Sequence, residues 1–139
     1  MFDKQRTADA AVHTNPFPAI FQEFVEKARD WRLTVVGHTA FEVAISTDEG
    51  AKNDWRRHQL TSDVTICMET PPEGATDRCL SFLSRARLRF GAFDLIEDPD
   101  GRMVFLEVNP NGQFLWLENQ LGLPISAAIA AELMRTAKS

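Results

Sequence analysis

Two cysteines, Cys67 and Cys79, are too few for a disulfide framework, and they are not spaced as a zinc knuckle. No stretch approaches the roughly 18 consecutive apolar residues of a membrane span. The N-terminus carries charges and no apolar h-region, so no signal peptide is visible. The seven glycines are scattered through turns, and none of them builds a glycine-rich phosphate loop. Basic residues are in deficit: 15 Lys and Arg stand against 20 Asp and Glu, and the net charge of −5 argues against general nucleic-acid binding. No internal repeat or low-complexity segment occurs. The expectation is therefore a reduced, cytoplasmic setting with no membrane and no nucleic acid as partner. The chain does have 139 residues, 44% of them hydrophobic, enough for one domain with its own core.

The most informative stretch is Phe90 to Gln113, FGAFDLIEDPDGRMVFLEVNPNGQ. It reads as two apolar strands, Phe90–Glu97 and Arg102–Asn109, joined by the turn Asp98-Pro99-Asp100-Gly101. A two-residue loop (Pro99-Asp100) and a four-residue loop (Asp98–Gly101) give the same register. Asp94 then lies opposite Phe105, and Gly91 opposite Val108. With alternating faces, Asp94, Phe105, Glu107 and Asn109 share one side. Glu107 becomes the diagonal neighbour of Asp94, at roughly 7–8 Å between backbones. Phe93, Leu95, Val104, Leu106 and Val108 fill the other side. A three- or five-residue loop would break this alignment.

Two carboxylates inside apolar strands call for a reason. Each costs several kcal/mol if taken from water unpaired, and side by side they repel. A divalent cation relieves both problems. Asp94 and Glu107 with the amide oxygen of Asn109 form a hard, all-oxygen set, which suits Mg²⁺ or Mn²⁺ better than Zn²⁺. The competing reading has the carboxylates paired with arginines or lying at exposed strand ends. Spacing alone leaves the two readings level.

The rest of the chain supplies elements to either side of this hairpin. Met1 to Phe17 is a polar N-terminal tail, and residues 18–139 form the ordered domain. Ala19–Lys27 suits a half-buried strand or a short helix. Asp30-Trp31-Arg32 leads into LTVVG, and after a turn at His38-Thr39 comes AFEVAIS, a second hairpin. Arg32 stands at a strand start. Asp54-Trp55-Arg56-Arg57 is either a solvated rim or a phosphate-facing loop, since guanidinium forks match phosphate oxygens. Val64–Met68 is a short strand. Gly74–Arg89 is an amphipathic helix with Cys79, Phe82, Leu83 and Ala86 on one face, and Gly91 is placed to stop it. Phe114–Gly122 gives a helical turn or two, and a last helix runs from Pro124 to about Thr136. Two helices and about six strands, several antiparallel, imply an α+β fold, an antiparallel sheet with helices packed on one side.

The run FGAFDLIEDPDG…VFLEVNPNGQFLWLE, with FQEFVEK…DWRLTVVG, DWRR and GLPISAAIAAEL in the same order, resembles the C-terminal part of ATP-grasp enzymes. The likeness is greatest to the RimK-like branch, and within it to ribosomal peptide maturases of the microviridin macrocyclase type. It covers about Pro18 to Leu133. The resemblance implies ATP as cosubstrate and Mg²⁺ (or Mn²⁺) as the ion. Such enzymes activate a carboxylate as an acyl-phosphate, which an amine or hydroxyl then attacks. It implies that Asp94, Glu107 and Asn109 hold the metal on the ATP phosphates. Gln22, Glu23, Phe24 and Val25 would form the hinge whose backbone reads the adenine. Arg32 and Arg56 would approach the γ-phosphate or the acyl-phosphate, which favours the phosphate-loop reading of Arg56. The partners implied are a peptide substrate and the N-terminal and central ATP-grasp domains, which bring the lysine and glycine-rich loop not found here. The chain is expected to be one jaw of a clamp, inactive alone and self-associating as a homo-oligomer through uncovered apolar surface. Two competing readings are a non-catalytic nucleotide-binding or interaction module and a two-carboxylate hydrolase with Asp94 and Glu107 as acid and base.

Overall fold

The strand Arg29–Val36 (β1) is buried along nearly its whole length, although Asp30, Arg32 and Thr34 alternate with its apolar residues. A strand buried on both faces needs neighbours at both edges and cover above and below. The computed structural model, which describes residues 23–47 and 64–137, supplies both. Thr39–Thr47 (β2) and Val64–Met68 (β3) lie to one side of β1. Phe90–Glu97 (β4) and Met103–Asn109 (β5) lie to the other. The result is a five-stranded sheet in the order β3-β2-β1-β4-β5, antiparallel at every pairing. Three helices accompany it: Ala75–Ala86 (α1), Leu115–Leu121 (α2) and Ile125–Thr136 (α3). The fold is α+β, as expected.

Strand register sorts the side chains into two cores. Trp31, Leu33, Val35, Ala44, Phe93 and Leu95 point to one side and meet Cys79 and Leu83 of α1. Glu42, across from Leu33, shares this side, where the Thr76 hydroxyl of α1 donates to its carboxylate. Val36, Phe41, Val43 and Ile45 point the other way and meet Leu117 of α2, Ile125 of α3 and the connecting Leu123. The helices therefore divide between two faces and do not share the single side expected. The sequence hid this because the second face of β1 is the polar one. Asp30, Arg32 and Thr34 lie there, so only the residues to either side of them carry the apolar signal.

Three further expectations change. Glu23–Lys27 has no regular structure, although the Ala28 amide donates to the Glu97 carbonyl at 2.8 Å; Ala19–Gln22 lies outside the described residues. Helix α1 ends at Arg87, with φ 56, whose amide reaches Ser84 while that of Leu88 reaches the Leu83 carbonyl. This is a Schellman closure with arginine in the usual glycine place, and Gly91 is already inside β4. The described residues contain five strands, where about six were expected.

The β4–β5 hairpin is built differently from the two loops considered. The Asp98 amide donates to the Arg102 carbonyl at 3.0 Å, which leaves Pro99-Asp100-Gly101 as a three-residue loop. Gly101 takes φ 80, as the last residue of such a loop requires. The Asp98 carboxylate accepts from the Asp100 and Arg102 amides at 3.0 and 2.8 Å and from the Arg102 guanidinium at 2.8 Å, locking the turn. Leu95 pairs with Phe105, but Asp94 pairs with Glu107, so Leu106 is an extra residue and the register shifts at a β-bulge. Phe105 consequently lies on the α1 side, packed on Phe82 and Phe93. Val104, opposite Ile96, lies on the Asp94 side. Both assignments reverse the expected ones. Glu107 and Asn109 keep theirs.

Candidate metal and phosphate site

Asp94, Glu107 and Asn109 share one side of the hairpin. Glu107 is directly across from Asp94 and not diagonal to it, and Asn109 is across from Ala92. Direct neighbours bring Cβ atoms to about 4.5–5.5 Å, closer than the expected diagonal. The two carboxylates differ in setting. Asp94 is buried, on a strand with partners at both edges. Glu107 and Asn109 are exposed on the edge strand β5. The premise of two carboxylates buried together thus holds only for Asp94.

Asp94 also has an arginine. Arg32 lies across from it on β1, and its Nη1 donates to Asp94 Oδ1 at 2.7 Å, with the two side chains only 9% and 10% exposed. Arg32 is therefore a buried ion-pair partner and not a surface residue at a strand start. Its Nη2 donates to the Gln113 carbonyl at 3.0 Å, an acceptor shared with Trp116 Nε1 at 3.3 Å. Among the described residues its Nε is buried with no hydrogen-bond partner, as is the Thr34 hydroxyl two residues along the same face.

The Asn109–Gln113 turn closes over this pair. The Gly112 amide donates to the Asn109 carbonyl at 3.2 Å, and the Asn109 side-chain oxygen accepts from the Asn111 amide at 2.9 Å. Gly112 is buried where a Cβ would meet the Ala92 Cβ at 2.5 Å and Arg32 Nη2 at 3.1 Å. Only glycine lets the turn lie this close to the sheet. Sequence reasoning missed Gly112 and the Gln113 carbonyl as parts of the site. The NPNG turn was the available signal, but nothing in it says that the glycine faces an arginine.

Glu23, Phe24 and Val25 line a cleft of about 600 Å³ with the hairpin turn Asp98–Asp100, Arg102 and Val104. Since Val104 lies on the Asp94 side, this cleft belongs to the same side of the hairpin, and Val104 and Glu107 face β4 residues two positions apart, about 7 Å at strand spacing. Gln22 and Arg56 lie outside the described residues. Among the described residues, no three His, Cys, Asp or Glu side chains group to hold a metal ion. The candidate set reaches three donors only through the Asn109 amide. Two carboxylates and an amide do fit a hard cation that takes its other ligands from water or phosphate.

The five-stranded antiparallel sheet and its helices match part of an ATP-grasp fold, as seen in solved ATP-grasp ligases that resemble this chain. No protein-family model and no curated protein matches the sequence. The macrocyclase MdnC from Microcystis aeruginosa MRC, solved with its precursor peptide MdnA, is 36% identical over 80% of this chain with a TM-score of 0.67. The RiPP-associated ATP-grasp ligase of Chryseobacterium gregarium, solved with ADP and a leader and core peptide, is 30% identical over 83% of this chain with a TM-score of 0.74. The macrocyclase MdnB from Microcystis aeruginosa MRC is 30% identical over 94%, with a TM-score of 0.64. The chain spans 34%, 35% and 44% of the length of these three proteins respectively. No described helix is long and apolar enough to cross a membrane.

Proposed function

We propose that this chain supplies the metal- and phosphate-facing sheet of an ATP- and Mg²⁺-dependent, RimK-like peptide ligase. The observation that carries the reading is the side shared by Asp94, Glu107 and Asn109, with Arg32 beside them, in a sheet like that of ATP-grasp peptide ligases. Asp94, Glu107 and Asn109 would hold Mg²⁺, or Mn²⁺ in its place, on the nucleotide phosphates. Bound there, the ion neutralises phosphate charge as the γ-phosphoryl group moves. The cleft at Glu23–Val25, with Gln22 before it, would take the adenine, so that the nucleotide lies along the hairpin towards Glu107. Arg32 and Arg56 would face the transferring phosphoryl group, where preorganised positive charge counts most.

The reaction in this reading has two steps. An oxygen of a peptide carboxylate attacks the γ-phosphorus and ADP leaves. An amine or hydroxyl then attacks the acyl carbon and phosphate leaves. The substrate is a peptide, and the work is cytoplasmic. The activity belongs to the chain together with the rest of an ATP-grasp ligase, because an open sheet leaves the triphosphate facing water and weakens each charge contact. The apolar side chains exposed here, including Phe82, Phe105 and Met68, favour a homo-oligomer.

Calorimetry with Mg·ATP, run alongside light scattering, tests this reading. The expected result for the 139 residues alone is weak, Mg²⁺-dependent nucleotide binding by an oligomer, lost in Glu107→Gln. Nucleotide binding that is indifferent to both Mg²⁺ and Glu107 would overturn it.

A further inference from the structure

Arg32 and Asp94 form a buried pair at the very carboxylate that the proposed function assigns to a cation, and the role inferred for Arg32 rests on that assignment. Both side chains are about nine-tenths buried, and Nη1 lies 2.7 Å from Oδ1. Burying such a pair adds little stability, whereas leaving either charge alone is costly. Asp94 on an interior strand therefore needs positive charge beside it whenever no cation is bound, and Arg32 supplies such charge at 2.7 Å. The guanidinium is not matched to this position as a purely structural one would be. Its Nη2 grips a main-chain carbonyl, and its Nε is buried without an acceptor among the described residues. A buried donor left unmatched is a standing cost that a rearrangement can recover.

A divalent cation on Asp94 and Glu107 with Arg32 still in place would set three positive charges against two carboxylates, with the cation and the guanidinium meeting at the buried Asp94, where like charges repel most strongly. We propose that Arg32 is a resident counter-ion. It holds Asp94 in place in the unliganded chain, gives the carboxylate up when a divalent cation binds, and turns its guanidinium to an anionic oxygen. Because Nη2 also holds Gln113, the same movement frees the turn that carries Asn109. Arg32 is thus a competitor of the metal before it is a partner of the phosphate.

The sign of one substitution separates this role from the alternatives. Mn²⁺ binding to the full 139-residue chain, without nucleotide, is measured from the electron paramagnetic resonance signal of the free ion for wild type, Arg32→Gln and Glu107→Gln. Removing a charge that opposes the cation should tighten Mn²⁺ binding about tenfold in Arg32→Gln, while Glu107→Gln weakens it. An arginine that serves only packing or only phosphate leaves Mn²⁺ affinity in Arg32→Gln equal or lower, and either result overturns the proposal. If wild type binds Mn²⁺ and Glu107→Gln binds it equally well, the metal set itself is wrong. If no variant binds, both readings fall. Should Arg32→Gln not fold, Mg²⁺ titration of the wild-type chain followed by ¹⁵N NMR of the Arg32 Nε–H decides. The buried proton should shift and lose its exchange protection in step with binding; an unchanged signal at saturation rejects the exchange.

Discussion

Gly112→Ala is a one-methyl perturbation with a cost set by three contacts. The added Cβ would lie 2.5 Å from the Ala92 Cβ, 3.1 Å from Arg32 Nη2 and 3.3 Å from the Asn109 carbonyl oxygen. The first is about an ångström inside ordinary carbon contact, and Ala92 is a fully buried residue of β4 that cannot swing away. The turn must rise off the sheet, taking the Gln113 carbonyl from Arg32. Overpacking of this kind costs about 1–3 kcal/mol, which for a chain of this size lowers Tm by about 3–15 °C. Thermal unfolding followed by circular dichroism measures it. Ala92→Gly in the same background removes the 2.5 Å contact, so the double variant should be more stable than the sum of the single changes by about 1 kcal/mol or more. A Gly112→Ala protein that melts within a degree of wild type, or a strictly additive cycle, would refute the close approach of this turn.

Asp94→Ala leaves the Arg32 guanidinium buried without its carboxylate and should cost about 3–5 kcal/mol in urea unfolding; a loss below about 1 kcal/mol, the range of exposed pairs, would mean that the pair is solvated. Glu107→Ala, on the exposed edge strand, should change stability by less than about 0.5 kcal/mol yet abolish Mg²⁺-dependent nucleotide turnover in an intact ligase built on this sequence. Retained turnover would remove Glu107 from the metal set. The Asp98 carboxyl is held below its ordinary value of 3.8, chiefly by the Arg102 amide and then by the Arg102 side chain. A depressed carboxyl stabilises the fold fully above the unfolded value, and that contribution is lost as pH falls through the lower, folded one. The stability gap between wild type and Asp98→Asn should therefore narrow below pH 3.8; a gap independent of pH would contradict this linkage.

The elements themselves were legible because their signals are local. The β1–β2 hairpin, the strand Val64–Met68, the Cys79–Leu83 face of α1 and the β4–β5 hairpin all arise from periodicity and turn residues. The side shared by Asp94, Glu107 and Asn109 was also readable, although by a register that proved wrong. The count assumed an even loop and an unbroken strand. The chain uses an odd loop ending in a left-handed glycine and then inserts Leu106, and the two departures offset each other at Glu107 while reversing Phe105 and Val104. Nothing local marks Leu106 as surplus, since Val104-Phe105-Leu106 is apolar throughout. The partner of Asp94 was illegible for a different reason. Arg32 is 62 positions away and meets it only because β1 and β4 are neighbours in the sheet. The same long-range pairing explains why β1 is covered on both faces, which a strand containing Asp, Arg and Thr does not advertise.

Leu106 also bears on how this gene can change. Removing its codon would leave Phe105 across from Leu95 and Glu107 across from Asp94, the same neighbours they have now, in an unbroken ladder. Removing either adjacent codon instead would leave one of those places to leucine. A single-residue deletion, ordinarily among the harshest lesions a strand can suffer, is thus harmless to both surfaces of β5 at one position and not at the positions beside it. Length variation among natural versions of this hairpin should gather there.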